Sequence, residues 1–147
     1  FTAPATRGGS EFTFSLAEAL KSGPVVLYFY PAAFTKGCTI EAHDFAEATD
    51  AFKALGATVI GVSADDIATL NEFSVSECRS EFAVASDRDR AIMTAYDAVL
   101  EAKPDLADRT SYVISPEGKI LFVHSALDPT GHVEKTMAAV KTWQASR

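Results

Sequence analysis

The chain has 147 residues, 48% of them hydrophobic and ten of them Phe, with a formal charge of −7. That length suits one domain, residues 1–147, around a single core, and the apolar content excludes a disordered chain. With acidic charge and no basic patch, nucleic acid is not an expected partner, and no apolar run approaches the ~20 residues of a membrane span.

Residues 1–11, with Ala-Pro, Gly8-Gly9 and Ser10, read as loop. Phe12 and Phe14 alternate with polar residues and predict a short strand. Ser15 is placed to cap a helix from Leu16 to Lys21, closed by Gly23. The run Val25 to Tyr30 is continuously apolar and predicts a central strand buried on both faces.

From Thr39 to Leu55 the pattern is helical, with Cys38, Ala42, Phe45, Thr49 and Phe52 on one stripe and Gly56 as terminator. Thr58 to Val62 predicts a second buried strand. Ser63-Ala-Asp-Asp66 resembles a capping box opening a helix from Asp65 to about Ser74. Val75 to Glu81 is polar and irregular, and carries Cys78. Phe82 to Ala85 predicts a strand, and Asp87 to Tyr96 a helix with Ile92 and Met93 inward.

Residues 97–108 form a connection. Thr110 to Ile114 and Lys119 to Val123 predict a hairpin turned at Pro116-Glu-Gly118. Val133, Met137, Val140 and Trp143 mark a final amphipathic helix, with Trp143 and Met137 expected in the core. This alternation predicts an α/β fold: a mixed sheet with helices on both faces, compatible with a thioredoxin-like core.

The first residue is Phe1, not Met. The expected location is the cytoplasm, or the periplasm if an export signal was removed ahead of Phe1. The two cysteines are too few for a disulfide scaffold and do not form Cys-x-x-Cys, and the three histidines lack metal spacing.

Cys38 lies where an apolar strand gives way, through a short loop, to a helix start. Unpaired backbone N–H groups and the positive end of the helix dipole favour a thiolate there. Its place on the core stripe supports a second reading, a buried core cysteine. Pro31 fixes the strand end and lacks an N–H. Thr35 can cap the helix or hydrogen-bond a reacting oxygen. Gly37 allows close approach of backbone to a ligand.

These residues resemble a known family. Pro31-Ala-Ala-Phe-Thr35-Lys-Gly-Cys38 is similar to the P-x-x-x-T-x-x-C signature of peroxiredoxins. The longer run from Phe29 to Glu41 resembles the PrxQ, or bacterioferritin comigratory protein, class. The likeness extends to Val59–Ser63, Ser86-Asp87, Arg109–Ile114 and the Pro116-Glu-Gly118 turn.

The resemblance implies a bacterial-type antioxidant enzyme, a thiol-dependent peroxidase without metal or organic cofactor. Cys38 would be the peroxidatic cysteine, with Pro31, Thr35 and Arg109 completing its pocket and Glu41 holding Arg109. Without the resemblance, Arg109 reads as a surface residue paired with Asp108. Hydrogen peroxide or an organic hydroperoxide would be the substrate, with Tyr28, Tyr30 and Phe34 as an aromatic lining. Thioredoxin is the expected reductant, with glutaredoxin or glutathione next, and the chain is expected to be a monomer or at most a weak dimer.

Many PrxQ proteins place a resolving cysteine five residues after the peroxidatic one; here that position is His43, expected on the solvated face beside Glu47. Cys78, in an exposed loop beside Arg79, is then the favoured resolver. A one-cysteine peroxidase recycled by external thiol, and a thioredoxin-like exchanger or redox sensor, remain open alternatives. His124 and His132 have structural explanations.

Overall fold

The computed structural model describes all residues from Phe1 to Arg147. Strand β1 (Thr2–Arg7) and strand β2 (Ser10–Ser15) form an antiparallel hairpin through Gly8 and Gly9. Both glycines have positive φ, 58° and 81°, as a two-residue hairpin turn requires. Residues 1–11 are therefore not loop. Pro4 misled because proline is rare in strands, yet it lies outside the register that β1 makes with its other neighbour and interrupts no ladder there.

Ser15 Oγ accepts from Glu18 N–H at 3.3 Å and opens helix α1 (Leu16–Leu20). Strand β3 (Val25–Phe29) is buried along its whole length. Helix α2 (Lys36–Ala54) closes on Gly56, with Gly56 N–H donating to Lys53 O and Ala57 N–H to Phe52 O, both at 2.9 Å. That pair of bonds is a Schellman stop, and Gly56 takes its left-handed position at φ 78°.

Strand β4 (Thr58–Ser63) leads to helix α3 (Ile67–Ser76). The cap of α3 is Asp66, accepting from Thr69 N–H at 2.8 Å, and not Ser63. Ser63 Oγ donates instead to Asp65 Oδ2 at 2.7 Å, and Asp65 Oδ2 also accepts from Ala33 N–H at 2.8 Å. The expected capping box is thus a brace for the loop after β3.

Strand β5 (Ala83–Ser86) precedes a short helix α4 (Ala91–Ala95), whose Ile92 and Met93 N–H groups donate to the Asp87 carboxylate. Strands β6 (Thr110–Ile114) and β7 (Ile120–Ser125) form the expected hairpin, and helix α5 (His132–Ala145) ends the chain. No helix is long and apolar enough to cross a membrane.

The strands form one mixed sheet in the order β2-β1-β5-β4-β3-β6-β7. β3 sits between parallel β4 and antiparallel β6. Because side chains alternate along a strand, β3 serves two cores. Val26, Tyr28 and Tyr30 join Cys38, Phe45 and Phe73 under α2, α3 and α5. Val25, Leu27 and Phe29 join Leu16 and Met93 under α1 and α4. The Tyr28 ring stacks on Phe45 at 4.3 Å, and Gly61 makes room for it, since a Cβ there would stand 2.9 Å from its Cζ.

Tyr28 and Tyr30 are therefore fully buried, in the same core cluster as Cys38. Trp143 departs from the expected core as well. It is half-exposed at the end of α5, with the Arg147 guanidinium stacked on its ring at 4.4 Å. Met137 is partly buried against the core. Edge strand β7 exposes Ile120, Leu121 and Val123, an apolar edge that the sequence pattern does not mark.

Candidate active site

The end of β3 and the start of α2 fix the position of Cys38. Pro31 follows the strand, and the loop turns through Phe34 at φ 67° before Thr35 enters the helix as its N-cap. Cys38 is the third helical residue, so the N–H groups of Lys36, Gly37 and Cys38 have no acceptor within the helix. Its sulfur lies in the apolar cluster and the residue is only 1% exposed.

Thr35 is exposed, and its hydroxyl makes no capping bond. The hydroxyl donates to Ala32 O at 2.7 Å. Its proton is therefore committed, and its lone pairs can accept from an incoming O–H.

Arg109 comes from the residue just before β6, whose antiparallel pairing sets Thr110 opposite Phe29. It is 5% exposed and does not pair with Asp108, whose carboxylate accepts from Thr110 Oγ1 instead. Its guanidinium is fixed at three points. Nε donates to Leu127 O at 2.7 Å, Nη1 to Glu41 Oε1 at 2.7 Å, and Nη2 to Cys38 Sγ at 3.4 Å. Gly37 permits this approach, since a Cβ there would stand 2.8 Å from Nη2. The close approach expected at Gly37 is thus to a side chain of the site.

Burial works against the guanidinium charge, but Glu41 and Cys38 beside it outweigh that and hold Arg109 protonated more firmly than usual. Arg109 thereby sets a permanent cation within hydrogen-bond reach of the sulfur.

Glu41, one turn into α2, is fully buried. One face of its carboxyl meets Arg109. The other oxygen, Oε2, has no hydrogen-bond partner and faces His132 Nδ1 at 3.5 Å. His132 is fully buried as well, with Nδ1 2.8 Å from Ser111 Oγ and Nε2 2.9 Å from Ala126 O.

His132 is the site residue that the sequence does not reveal. It opens a helix as many histidines do, and its partners come from α2, β6 and the segment after β7.

Burial pushes the Glu41 carboxyl up to about 8, against the pull of Arg109. Burial pushes His132 down to about 4, helped by the charges of His124 and Arg109. Each shift has a consequence for stability. Glu41, raised from 4.5, contributes stability that is full below pH 4.5 and is lost as pH rises through about 8. His132, lowered from 6.5, contributes stability that is full above pH 6.5 and is lost as pH falls through about 4. Between pH 4.5 and 6.5 the two slopes oppose each other, and from 6.5 to 8 only the Glu41 loss remains. Urea unfolding is expected to show stability falling from pH 6.5 to 8 in the native protein, and a flatter profile in Glu41→Gln.

Cys78 is not in an exposed loop. It follows α3 directly and is fully buried, in the same apolar cluster as Cys38, and both thiols are free. Burial, then the charge of Glu77, pushes its thiol far above the ordinary range. Arg79 turns away to Glu47 at 3.9 Å and leaves the Cys78 sulfur unassisted. His43 pairs with Glu77 at 3.0 Å and not with Glu47, so it joins the start of α2 to the end of α3. Phe34 packs edge-on against Phe73 at 5.2 Å and closes the loop over this region.

The profile of the AhpC/TSA family matches residues 1–123. Over 122 residues the chain is 33% identical to peroxiredoxin Bcp of Xanthomonas campestris pv. campestris, spanning 80% of this chain and 76% of that protein. It is 32% identical to the chloroplastic peroxiredoxin Q of Triticum aestivum over 130 residues, 88% of this chain and 59% of that protein. The chain thus spans less than two thirds of the length of such chloroplast relatives. The crystal structure of peroxidoxin BcpB from Mycobacterium tuberculosis superposes with a TM-score of 0.84 at 30% identity, covering 97% of this chain and 92% of that one. The α/β, thioredoxin-like fold is shared with these proteins.

Proposed function

This chain belongs to the AhpC/TSA family, and from that premise we propose that it is a thiol-dependent peroxidase acting on hydroperoxides through Cys38. The observation that carries this is the Arg109 Nη2 to Cys38 Sγ contact of 3.4 Å in the first turn of α2. A cation and unpaired helix N–H groups converge there on one sulfur, in surroundings where few donors act strongly.

The Cys38 thiolate attacks the outer oxygen of ROOH. An S–O bond forms, the O–O bond breaks, and Cys38 becomes a sulfenic acid while RO⁻ leaves and takes a proton to give ROH. Arg109 and the N–H groups at the helix start stabilise the charge that passes from sulfur to the departing oxygen. Thr35 accepts from the hydroperoxide O–H and aligns it. Pro31, with no N–H of its own, shapes the loop beside the sulfur without adding a competing donor. Glu41 holds Arg109 in place.

Cys78 closes the cycle. Its sulfur attacks the sulfenic acid, a disulfide forms, and water leaves. Both cysteines are buried, so access of a reductant to their disulfide calls for a segment to open, and residues 77–81 suit that role. They are held by the His43–Glu77 and Arg79–Glu47 pairs, and Arg79 and Ser80 sit at φ 54° and 59°, a strained conformation for non-glycine residues. A dithiol reductant of the thioredoxin kind, or glutaredoxin or glutathione, returns both thiols.

Reduced protein is expected to consume hydrogen peroxide and an organic hydroperoxide at the expense of thioredoxin or dithiothreitol. Absence of consumption with both oxidants would refute the proposal. After one equivalent of peroxide, peptide mass spectrometry is expected to find a Cys38–Cys78 linkage. A persistent sulfenic acid at Cys38, or a mixed disulfide with added thiol, would establish the one-cysteine cycle instead.

A further inference from the structure

The peroxidase chemistry leaves one buried group without a task. His132 is fully buried and set against the only carboxyl oxygen of Glu41 that lacks a hydrogen-bond partner. Its orientation is fixed. Nε2 faces the Ala126 carbonyl, which only accepts, so Nε2 must carry a proton. Nδ1 then faces Ser111 Oγ at 2.8 Å and Glu41 Oε2 at 3.5 Å.

If Nδ1 and Oε2 both lacked a proton, a lone pair would face a buried anionic oxygen; Ser111 could then satisfy Nδ1, and nothing would satisfy Oε2. One proton resolves this. On Oε2 it points to Nδ1; on Nδ1 it is shared between Ser111 Oγ and Oε2.

We propose that His132 and Glu41 hold one proton between them, and that His132 is a positioning residue which, through that proton, keeps the Arg109 charge available to Cys38. In either placement of the proton the pair has zero net charge. Arg109 then carries an uncancelled positive charge toward the sulfur. When the proton leaves, Glu41 becomes a plain carboxylate that neutralises Arg109 and repels the thiolate. The directions in which burial shifts Glu41 and His132 agree with one shared proton at neutral pH.

The groups around the pair act in both directions. Arg109, just before β6, favours loss of the proton, whereas Asp44 from α2 favours its retention. A thiolate at Cys38 also favours retention. His124 from β7, edge-on to His132 at 4.6 Å, opposes a charge on the imidazole, and Asp128 ahead of α5 faces the ring and supports its protonation. Tyr28 from β3 lies close enough to feel the Glu41 charge.

The inference rests on Cys38 being the reactive thiol, but its test needs no turnover. A protein without peroxidase activity would refute the previous section and leave this measurement standing. In the native protein, imidazole ¹⁵N NMR at neutral pH is expected to show Nε2 protonated and Nδ1 hydrogen-bonded to Ser111. The Nδ1 signal should change as pH passes about 8, together with loss of a carboxylic-acid infrared band.

In Glu41→Gln, whose amide copies the neutral acid, both changes should vanish. The pH midpoint of Cys38 alkylation, followed by peptide mass spectrometry, should stay within about twofold in proton affinity. A carboxylate that was already ionised would instead make the Glu41→Gln midpoint fall, by tenfold or more in proton affinity. That fall, or an imidazole that does not respond while the carboxylic-acid band is lost in the native protein, would overturn the proposal. The second result requires no variant to fold.

Discussion

Cys38→Ser is expected to reduce peroxide consumption to the uncatalysed background, a loss on the order of 10⁶-fold or more. The alcohol keeps the size and place of the thiol but ionises far too weakly for Arg109 to turn it into a nucleophile at neutral pH. The loss would not come from unfolding. The substituted residue would lie in the first turn of α2 beside a guanidinium that can still donate to its oxygen. The cost to stability should stay near ~1–2 kcal/mol. Peroxide consumption and urea unfolding, measured on the same sample, separate the two effects. Turnover retained in a folded Cys38→Ser protein would remove Cys38 from the chemistry.

Arg109→Met should produce the next largest effect and act on both quantities. Removing the guanidinium takes the cation from the sulfur and the only donor from Glu41 Oε1, and it breaks the bond to Leu127 O. The kcat/KM for hydroperoxide is expected to fall by about 10²–10³-fold, the scale for deleting one charged donor at a reacting centre. Stability should fall by about 3 kcal/mol, because buried acceptors lose their partner. Arg109→Lys distinguishes charge from geometry. A single ammonium cannot meet Leu127 O, Glu41 Oε1 and the sulfur at once, so the lysine variant should recover part of the stability and little of the rate. A lysine variant with native rate would show that charge alone suffices.

Most of the fold was legible because its signals are local. The apolar run of β3, the stripe from Cys38 to Phe52 and the Pro116-Glu-Gly118 turn each state their element within a few residues. Errors fell where a residue's local habit was overruled at a distance. Pro4 reads as loop but joins a hairpin whose outer partner leaves its nitrogen unneeded. Ser63 reads as a cap but serves Asp65, which reaches back to Ala33. Cys78 reads as exposed because its neighbours are polar, yet the end of α3 turns its sulfur inward.

The sequence by itself determined the strand-loop-helix unit that sets Cys38 at a helix start, since proline, glycine and the apolar pattern act through adjacent backbone. Through family likeness it also singled out Thr35, Arg109 and Glu41. Only the tertiary structure decided what surrounds the sulfur. Antiparallel pairing of β6 with β3 brings Arg109 to Cys38, and the packing of α5 brings His132 to Glu41. Those contacts join residues far apart in the chain, and burial then sets their charge. Burial is a property of the assembled core, and no single segment of the sequence carries it.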